Sequence, residues 1–427
     1  MKRLHIYIYS IFVALTTAHT VHAQTNKVYA PAIYTLQTIV NDDWLHDDII
    51  TLGTDDWVSI SFDHLSHDYH RFIYKIIHCN ADWTSSDLYE VDYMDGFNNQ
   101  PFEDYTNSMG TTMLYTHYRL DLPNDDIQFK ASGNYRVEIY LDEYEDNDHA
   151  ESPVAVACFR IIEPRMNLHA TVTSNTDIDT HQSHQQVSFT LTYPTGEVID
   201  PIAEIKPYVY QNDRDDTHVS LMKPTYSTPG HLEYTHQRTL IFPAGNEYRR
   251  FEVTDMHYAT QGVDRIEYHA PYYHATLLPD SPRRHYSFDI DHDGRYLIHH
   301  RPIHTSDEDA NTEADYLFVH FQLDMPLRTG GHYYLTGAFT YDNFTPQYRM
   351  EYNATERCYE TTLLLKQGAY DYMYVWVPDG TSIGHTDLTE GNSYEAENEY
   401  QIYIYHRPFG GRYDRLVATQ EIKFEQE

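Results

Sequence analysis

Hydrophobic and polar positions alternate with a period of two along most of the chain. Val58, Ile60 and Phe62 alternate with Ser59 and Ser61. Tyr135, Val137, Ile139 and Leu141 alternate with Arg136, Glu138 and Tyr140. Val187, Phe189, Leu191 and Tyr193 alternate with Ser188, Thr190 and Thr192. Leu317, Val319, Phe321 and Leu323 repeat the pattern, and Ile402 and Ile404 interleave with Tyr403 and Tyr405. Each pattern predicts a strand with one buried face and one wet face. The unbroken run Val154–Phe159 predicts a buried strand, with Cys158 inside it. Turn signals separate the strands: Ser132-Gly133-Asn134, Thr195-Gly196, Asp293-Gly294, Thr329-Gly330-Gly331 and Asp379-Gly380. No long helical periodicity with caps is present. The pattern predicts an all-β fold of tandem immunoglobulin-like β-sandwich domains.

Two breaks divide the pattern. Glu163-Pro164-Arg165 closes one strand series, and the acidic, patternless stretch 305–313 reads as a linker. The expected domains are 24–164, 165–304 and 305–427. The first 23 residues predict a cleaved signal peptide. Lys2 and Arg3 form a positive start, Ile6 to Leu15 a short apolar run, and Val21-His22-Ala23 a small-residue cleavage site before Gln24. The apolar run is too short for a retained membrane span, and no other stretch is long and apolar enough for one. Export without membrane insertion is the expectation.

Charge narrows the partners. The formal net charge is −36, and −38 once Lys2 and Arg3 leave with the signal. Nucleic-acid binding needs a basic footprint, so it is excluded, as is docking on anionic lipid heads. The 41 tyrosines and 15% aromatic content suit pleated, half-buried surfaces. Three widely spaced cysteines, Cys79, Cys158 and Cys358, make neither a disulfide framework nor a zinc signature. A single Cys79–Cys158 bridge is open in an oxidising compartment.

Candidate chemistry is sparse. His78-Cys79-Asn80-Ala81-Asp82-Trp83 lines up an acid–base pair, His78 and Asp82, beside a thiol. The run reads instead as a strand end and its exit turn, where neighbours His78 and Cys79 point to opposite faces. Asp289-Ile290-Asp291-His292-Asp293-Gly294 matches half of a calcium loop, but the twelfth position is His300 rather than Glu. A hairpin turned at Asp293-Gly294 accounts for it. His64, His67 and His70 lie between strands, where they are expected to face solvent rather than gather a metal. No catalytic, cofactor-binding or metal residue is assigned, and partner-binding residues stay unassigned.

Larger motifs carry a resemblance. His78–Trp83 is followed by Tyr93-Met94-Asp95-Gly96-Phe97-Asn98 and Tyr115-Thr116-His117-Tyr118-Arg119 up to Asn124. Ser132-Gly133-Asn134-Tyr135, Ala244-Gly245-Asn246-Glu247, Gly262-Val263-Asp264, Glu390-Gly391-Asn392 and Arg412-Tyr413-Asp414-Arg415 continue the series. Together they resemble the plug proteins of the type IX secretion system of Bacteroidetes. The resemblance implies a non-enzymatic, periplasmic part that closes the periplasmic end of the outer-membrane translocon barrel. That barrel is the partner it implies.

The last domain, from Gly331-His332-Tyr333 through Tyr372-Met373-Tyr374-Val375, is similar to immunoglobulin-like modules related to glycogen-binding domains. Those modules stack sugars on Trp. Here Phe344 stands at the usual Trp position, and Trp376 is the domain's sole Trp. The alternative function is an exported glycan-binding β-sandwich protein.

Overall fold

The computed structural model describes residues 26–142, 152–301 and 310–425. The expected signal peptide and most of the expected linker 305–313 lie outside the described residues. Strands dominate, and the α-helices among the described residues are single turns, Glu90–Tyr93, Pro201–Glu204 and Ala310–Glu313. No described helix is long and apolar enough to cross a membrane.

Three sandwiches build the molecule. In the first, strands Ile33–Val40, Val58–His64, Thr116–Leu122 and Asp104–Asn107 form one sheet. It packs on strands Phe72–Cys79, Gly133–Leu141 and Ala155–Ile162 through Ile60, Phe62, Ile76, Tyr135, Val137 and Phe159. Tyr135 stands directly across from both His78 and Phe159. The period-two pattern fixes this register, because a one-residue slip would drive Arg136 and Glu138 into the core. Each fully buried Ile or Phe contributes roughly 1.5–3 kcal/mol.

The second sandwich joins distant parts of the chain. Strands Asn167–Thr173, His184–Thr192, His231–Tyr234 and Tyr226–Thr228 form one wall. Strands Ile205–Gln211, Glu399–His406 and Arg415–Lys423 form the other, and Val187, Phe189 and Leu232 meet Tyr400, Ile402, Ile404 and Val417 between them. This second wall continues the first sandwich's sheet, through the parallel pair Ile162↔Leu416, into nine strands. The alternation around Ile402 and Ile404 predicted a wet face, but every residue of Glu399–His406 is buried. Its second face is covered because Tyr403 and Tyr405 pack with Ala81, Tyr208, Tyr210 and Leu416.

The third core runs from Phe251 to Trp376 and so crosses position 304. Strand Gly368–Pro378 is its centre, paired with Arg249–Val253, Tyr296–Ile298 and Gly331–Thr336. The facing sheet contains Tyr316–Leu323 and Cys358–Lys366. The described end of the expected linker is not loose: Ala310 is buried in the one-turn helix Ala310–Glu313.

A buried ion pair fastens the third sandwich to the first. Lys366 Nζ lies 2.6 Å from Asp63 Oδ2, each side chain 1% exposed. Asp63 also accepts from Tyr316 Oη at 2.7 Å and meets His117 Nδ1 at 2.7 Å. Burial opposes its charge, yet Lys366 and His117 hold the Asp63 carboxyl below its ordinary range. Nearby, Asp315 accepts from the backbone N–H groups of Thr112 and Met113.

Candidate docking surface

The candidate chemistry disperses once placed. His78 Nδ1 meets Ser86 Oγ at 2.8 Å and Nε2 meets the Ser132 carbonyl at 3.1 Å. Asp82 instead accepts from the Thr84 hydroxyl and N–H. Burial pushes His78 down to about 4 and the Cys79 thiol up to about 12, so neither is poised for proton transfer or attack.

The Cys79–Cys158 bridge does not form; both thiols are free and buried. They share a small cluster with Trp83 and Val156, but the strand Gly133–Leu141 runs between theirs. Strands two apart are about 9.6 Å apart, beyond the Cα separation a disulfide spans.

The half calcium loop also disperses. Asp289 accepts from its neighbour Ile290 N–H, Asp291 from Tyr248 N–H, and Asp293 pairs with Lys423 Nζ at 3.0 Å. Asp293 and Gly294 do turn the chain with positive φ, at 52° and 88°. No hairpin results, because residues 278–292 form no strand and Tyr296–Ile298 pairs with Gly368–Tyr370. Of the three spaced histidines, only His67 is exposed. His64 and His70 are half-buried and stack edge-on at 4.5 Å, since the strand Val58–His64 extends further than the alternation suggested.

Several of the signature residues converge into two polar knots. The first joins the exit turn of Phe72–Cys79 to the C-terminal hairpin. Asp414, 1% exposed, accepts from Ala81 N–H at 3.0 Å, Lys206 Nζ at 2.8 Å and Arg407 Nε at 2.8 Å. Arg407 also donates to Asn80 Oδ1. Asn134 donates to the Asn80 carbonyl at 3.0 Å and accepts from Tyr405 Oη at 2.6 Å. Gly133 sits at φ 138°, where a Cβ would meet His78 Nε2 at 2.8 Å and the Asp414 carbonyl at 3.0 Å.

The second knot joins the second and third sandwiches. Asn246 donates to the carbonyls of His285 and Glu390, and Asn392 accepts from Gly245 N–H, each at 3.0 Å. Arg249 holds the fully buried Glu390 at 3.0 Å and Asp280 at 2.6 Å. These motifs are fasteners between sandwiches.

Where the three sandwiches meet, carboxylates crowd a narrow crevice. Asp48 and Asp213 line two adjoining cavities of about 120 and 110 Å³ together with Asn26 and Ala338. Arg160 lies on the wall of the first, its guanidinium 4.3 Å from the Tyr403 ring centre and 5.3 Å from that of Trp83. Burial pushes Asp47 and Asp342 up to about 7. Asp47, Glu399 and Glu421 bring oxygens within 4.8 Å of one another, but Arg295 already donates to Asp47 and to both oxygens of Glu399.

The first knot also holds an apolar end in place. Phe409 is 94% exposed at the tip of the hairpin between Glu399–His406 and Arg415–Lys423. From that tip Arg412 Nη2 reaches Asp92 Oδ2 at 2.8 Å, in the one-turn helix that carries Val91. Arg407 N–H donates to the Glu204 carbonyl at 2.9 Å, in the helix that carries Ile202. Tyr89, Val91, Ile199 and Ile202, all exposed, lie on or beside the two short helices so tied to the hairpin. The signal was present in the sequence: Arg407-Pro408-Phe409-Gly410-Gly411-Arg412 is a turn with a large apolar residue at its apex.

Residues 33–163 match the type 9 secretion system plug protein 1st domain. That match covers under half of the chain. The first sandwich, with the His78–Trp83 turn and Gly133, is the part that matches. The chain is also similar to the crystal structure of a hypothetical protein from Parabacteroides merdae ATCC 43184. The TM-score is 0.90 at 41% identity, covering 94% of this chain and 100% of that one. That coverage extends the likeness beyond the plug domain to all three sandwiches. No curated protein matches the chain. In the third sandwich Trp376 is buried, 4.8 Å from the Tyr333 ring, and Phe344 packs on Tyr334. Trp376 offers no open face for a sugar.

Proposed function

We propose that this protein closes the periplasmic end of the outer-membrane translocon barrel of the type IX secretion system, without catalysing a reaction. The match of residues 33–163 to the plug first domain carries the proposal. The architecture suits it. A plug must resist deformation, and here ion-paired knots and a shared nine-stranded sheet tie three sandwiches together. Release then proceeds by dissociation of a folded body rather than by unfolding. His78 and Asp82, which first suggested chemistry, are taken up by separate hydrogen bonds to Ser86, Ser132 and Thr84, which suits a role by surface contact. An envelope location on the periplasmic face of the outer membrane follows from the role.

Deleting the gene in the source bacterium is expected to let small solutes leak across the outer membrane, and the tagged protein is expected to recover the barrel from detergent extracts. An intact permeability barrier in the deletion strain would remove the role.

A further inference from the structure

The outer face of the third sandwich carries a histidine cluster that neither its core nor the proposed role accounts for. Strands Val263–His269, Tyr272–Leu277, Tyr316–Leu323 and Cys358–Lys366 lie side by side in one sheet. Leu317, Val319, Phe321 and Leu323 enter the core, so Phe318 and His320 point outward. Parallel pairing sets His274 directly across from Phe318 and diagonal to His320. On its other side, antiparallel pairing sets Glu267 across from His274 and His269 across from Tyr272. One face therefore collects His269, His274 and His320, with Glu267 beside them.

Two of these imidazoles aim at the same point. His274 Nδ1 and His320 Nε2 lie 2.8 Å apart, with one N–H between them. Both rings are held in place. Phe318 stacks on His274 at 5.1 Å, and Thr362 Oγ1 sits 2.8 Å from His320 Nδ1. His269 lies 5.1 Å from His274, ring to ring, and its side chain is 63% exposed, so it is free to swing. Glu267 Oε2 is 3.7 Å from His269 Nε2. The one cation close by, Arg265, is already paired with Glu267 at 3.1 Å and Asp264 at 2.8 Å. Burial and the neighbouring imidazoles hold His274 and His320 below the ordinary histidine range, so each ring offers an unprotonated nitrogen at neutral pH.

We propose that this face binds a first-row divalent metal ion such as Zn²⁺, with His274 Nδ1 and His320 Nε2 as its first two ligands and His269 as the third. Tetrahedral Zn–N bonds of about 2.0–2.1 Å set two ligand nitrogens roughly 3.3 Å apart, so the pair has only to open by about 0.5 Å. Each ring then carries its proton on the nitrogen facing away from the metal, and none is released. His320 donates its own to Thr362 Oγ1, which fixes the tautomer and the ring as an outer partner of a metal-bound histidine does. The sheet face is open, so water completes the coordination. Imidazole nitrogens suit Zn²⁺, Ni²⁺ and Cu²⁺, whereas Mg²⁺ and Ca²⁺ take oxygen ligands. The carboxylates of Asp47, Glu399 and Glu421 are a poorer site, because Arg295 already occupies two of them. The metal site does not depend on the plug role.

The test uses the full chain, purified without a histidine tag and stripped with EDTA. Calorimetric titration with Zn²⁺ is expected to show one ion bound per chain, which excess Mg²⁺ does not displace. His274→Gln and His320→Gln are each expected to weaken binding by about tenfold or more, and Thr362→Val by about tenfold through loss of ring orientation. His236→Gln, at an 81% exposed side chain on the second sandwich, is expected to leave binding unchanged. Matched melting temperatures of the metal-free variants establish that they fold. Cu²⁺ loaded on the unaltered chain gives a readout that needs no substitution: electron paramagnetic resonance should show nitrogen couplings from at least two imidazoles. The absence of saturable Zn²⁺ binding overturns the proposal, as does full-strength binding in the His274 and His320 variants or a Cu²⁺ spectrum with oxygen ligands alone. Binding lost in Glu421→Gln but kept in His274→Gln would put the ion among the carboxylates and overturn it equally.

Discussion

Lys366 and Asp63 are charged residues with almost no water around them. Burial pulls Lys366 below its ordinary range, and Asp63 opposes that pull. The pair survives because Asp63 gains Tyr316 and His117 as well, and Lys366 also donates to the Asn311 carbonyl at 2.6 Å. Such a pair adds little against an apolar substitute for both, but removing one partner strands the other. Lys366→Met is expected to cost about 3–5 kcal/mol in chemical denaturation, and Asp63→Asn with Lys366→Met to recover part of it. A loss below about 1 kcal/mol would show that water reaches Asp63. Cys79 and Cys158 give a second residue-scale expectation. Both thiols are buried and raised, so alkylating reagents should label them only after unfolding. Rapid labelling of the native protein would contradict their placement.

At the scale of elements, the C-terminal hairpin depends on Asp414. Asp414→Ala removes the acceptor for Ala81, Lys206 and Arg407 together. Stability is expected to fall by about 3 kcal/mol, with faster hydrogen exchange in residues 399–423 than in 133–141. Uniform acceleration across both strands would mean that the hairpin does not open on its own. The individual strands were legible because alternation states which residues are apolar on one face. Their partners were not. Nothing in the local pattern of 205–211 says that it pairs with 399–406, almost two hundred residues away. The tyrosines of 403 and 405 looked like a wet face because Tyr is amphipathic, and residues from elsewhere, among them Ala81, Tyr208, Tyr210 and Leu416, make that face dry. The His78–Trp83 turn was legible as a turn, but its purpose lay in Asp414, far along the chain. The exposed tip was written plainly in Pro408-Phe409-Gly410-Gly411, yet a turn signal alone does not say how far its Phe stands out of the fold.

At the scale of the molecule, the crowded carboxylates govern the response to pH. Burial raises Asp47 and Asp342 to about 7, Asp291 to about 8 and Asp293 to about 6. Their folded-state values lie above the unfolded value of 3.8, so the folded protein binds protons more tightly. Stability should rise as pH falls from about 8 toward 4 on their account. His64 and His78 act in the opposite direction. Burial lowers both from 6.5 to about 4, so the unfolded chain takes up their protons first as pH falls below 6.5. Arg160, Arg295 and Lys423 stay charged throughout and moderate the carboxylates. The melting temperature should therefore climb from pH 8.5 to 6.5 at fixed ionic strength and flatten below. A decline across the upper interval would mean that the cations already neutralise the cluster.

The second sandwich closes only with strands Glu399–His406 and Arg415–Lys423. A ribosome delivers residues 167–242 long before those strands exist. For that interval Val187, Phe189, Leu191 and Leu232 have only the strand Ile205–Gln211 of the opposite wall, and Ile162 lacks its partner Leu416. The chain must carry an unfinished core through most of its synthesis. The last strands made are thus the ones that close the core, so a fragment lacking the hairpin would leave the apolar face of the second sandwich exposed and prone to aggregate.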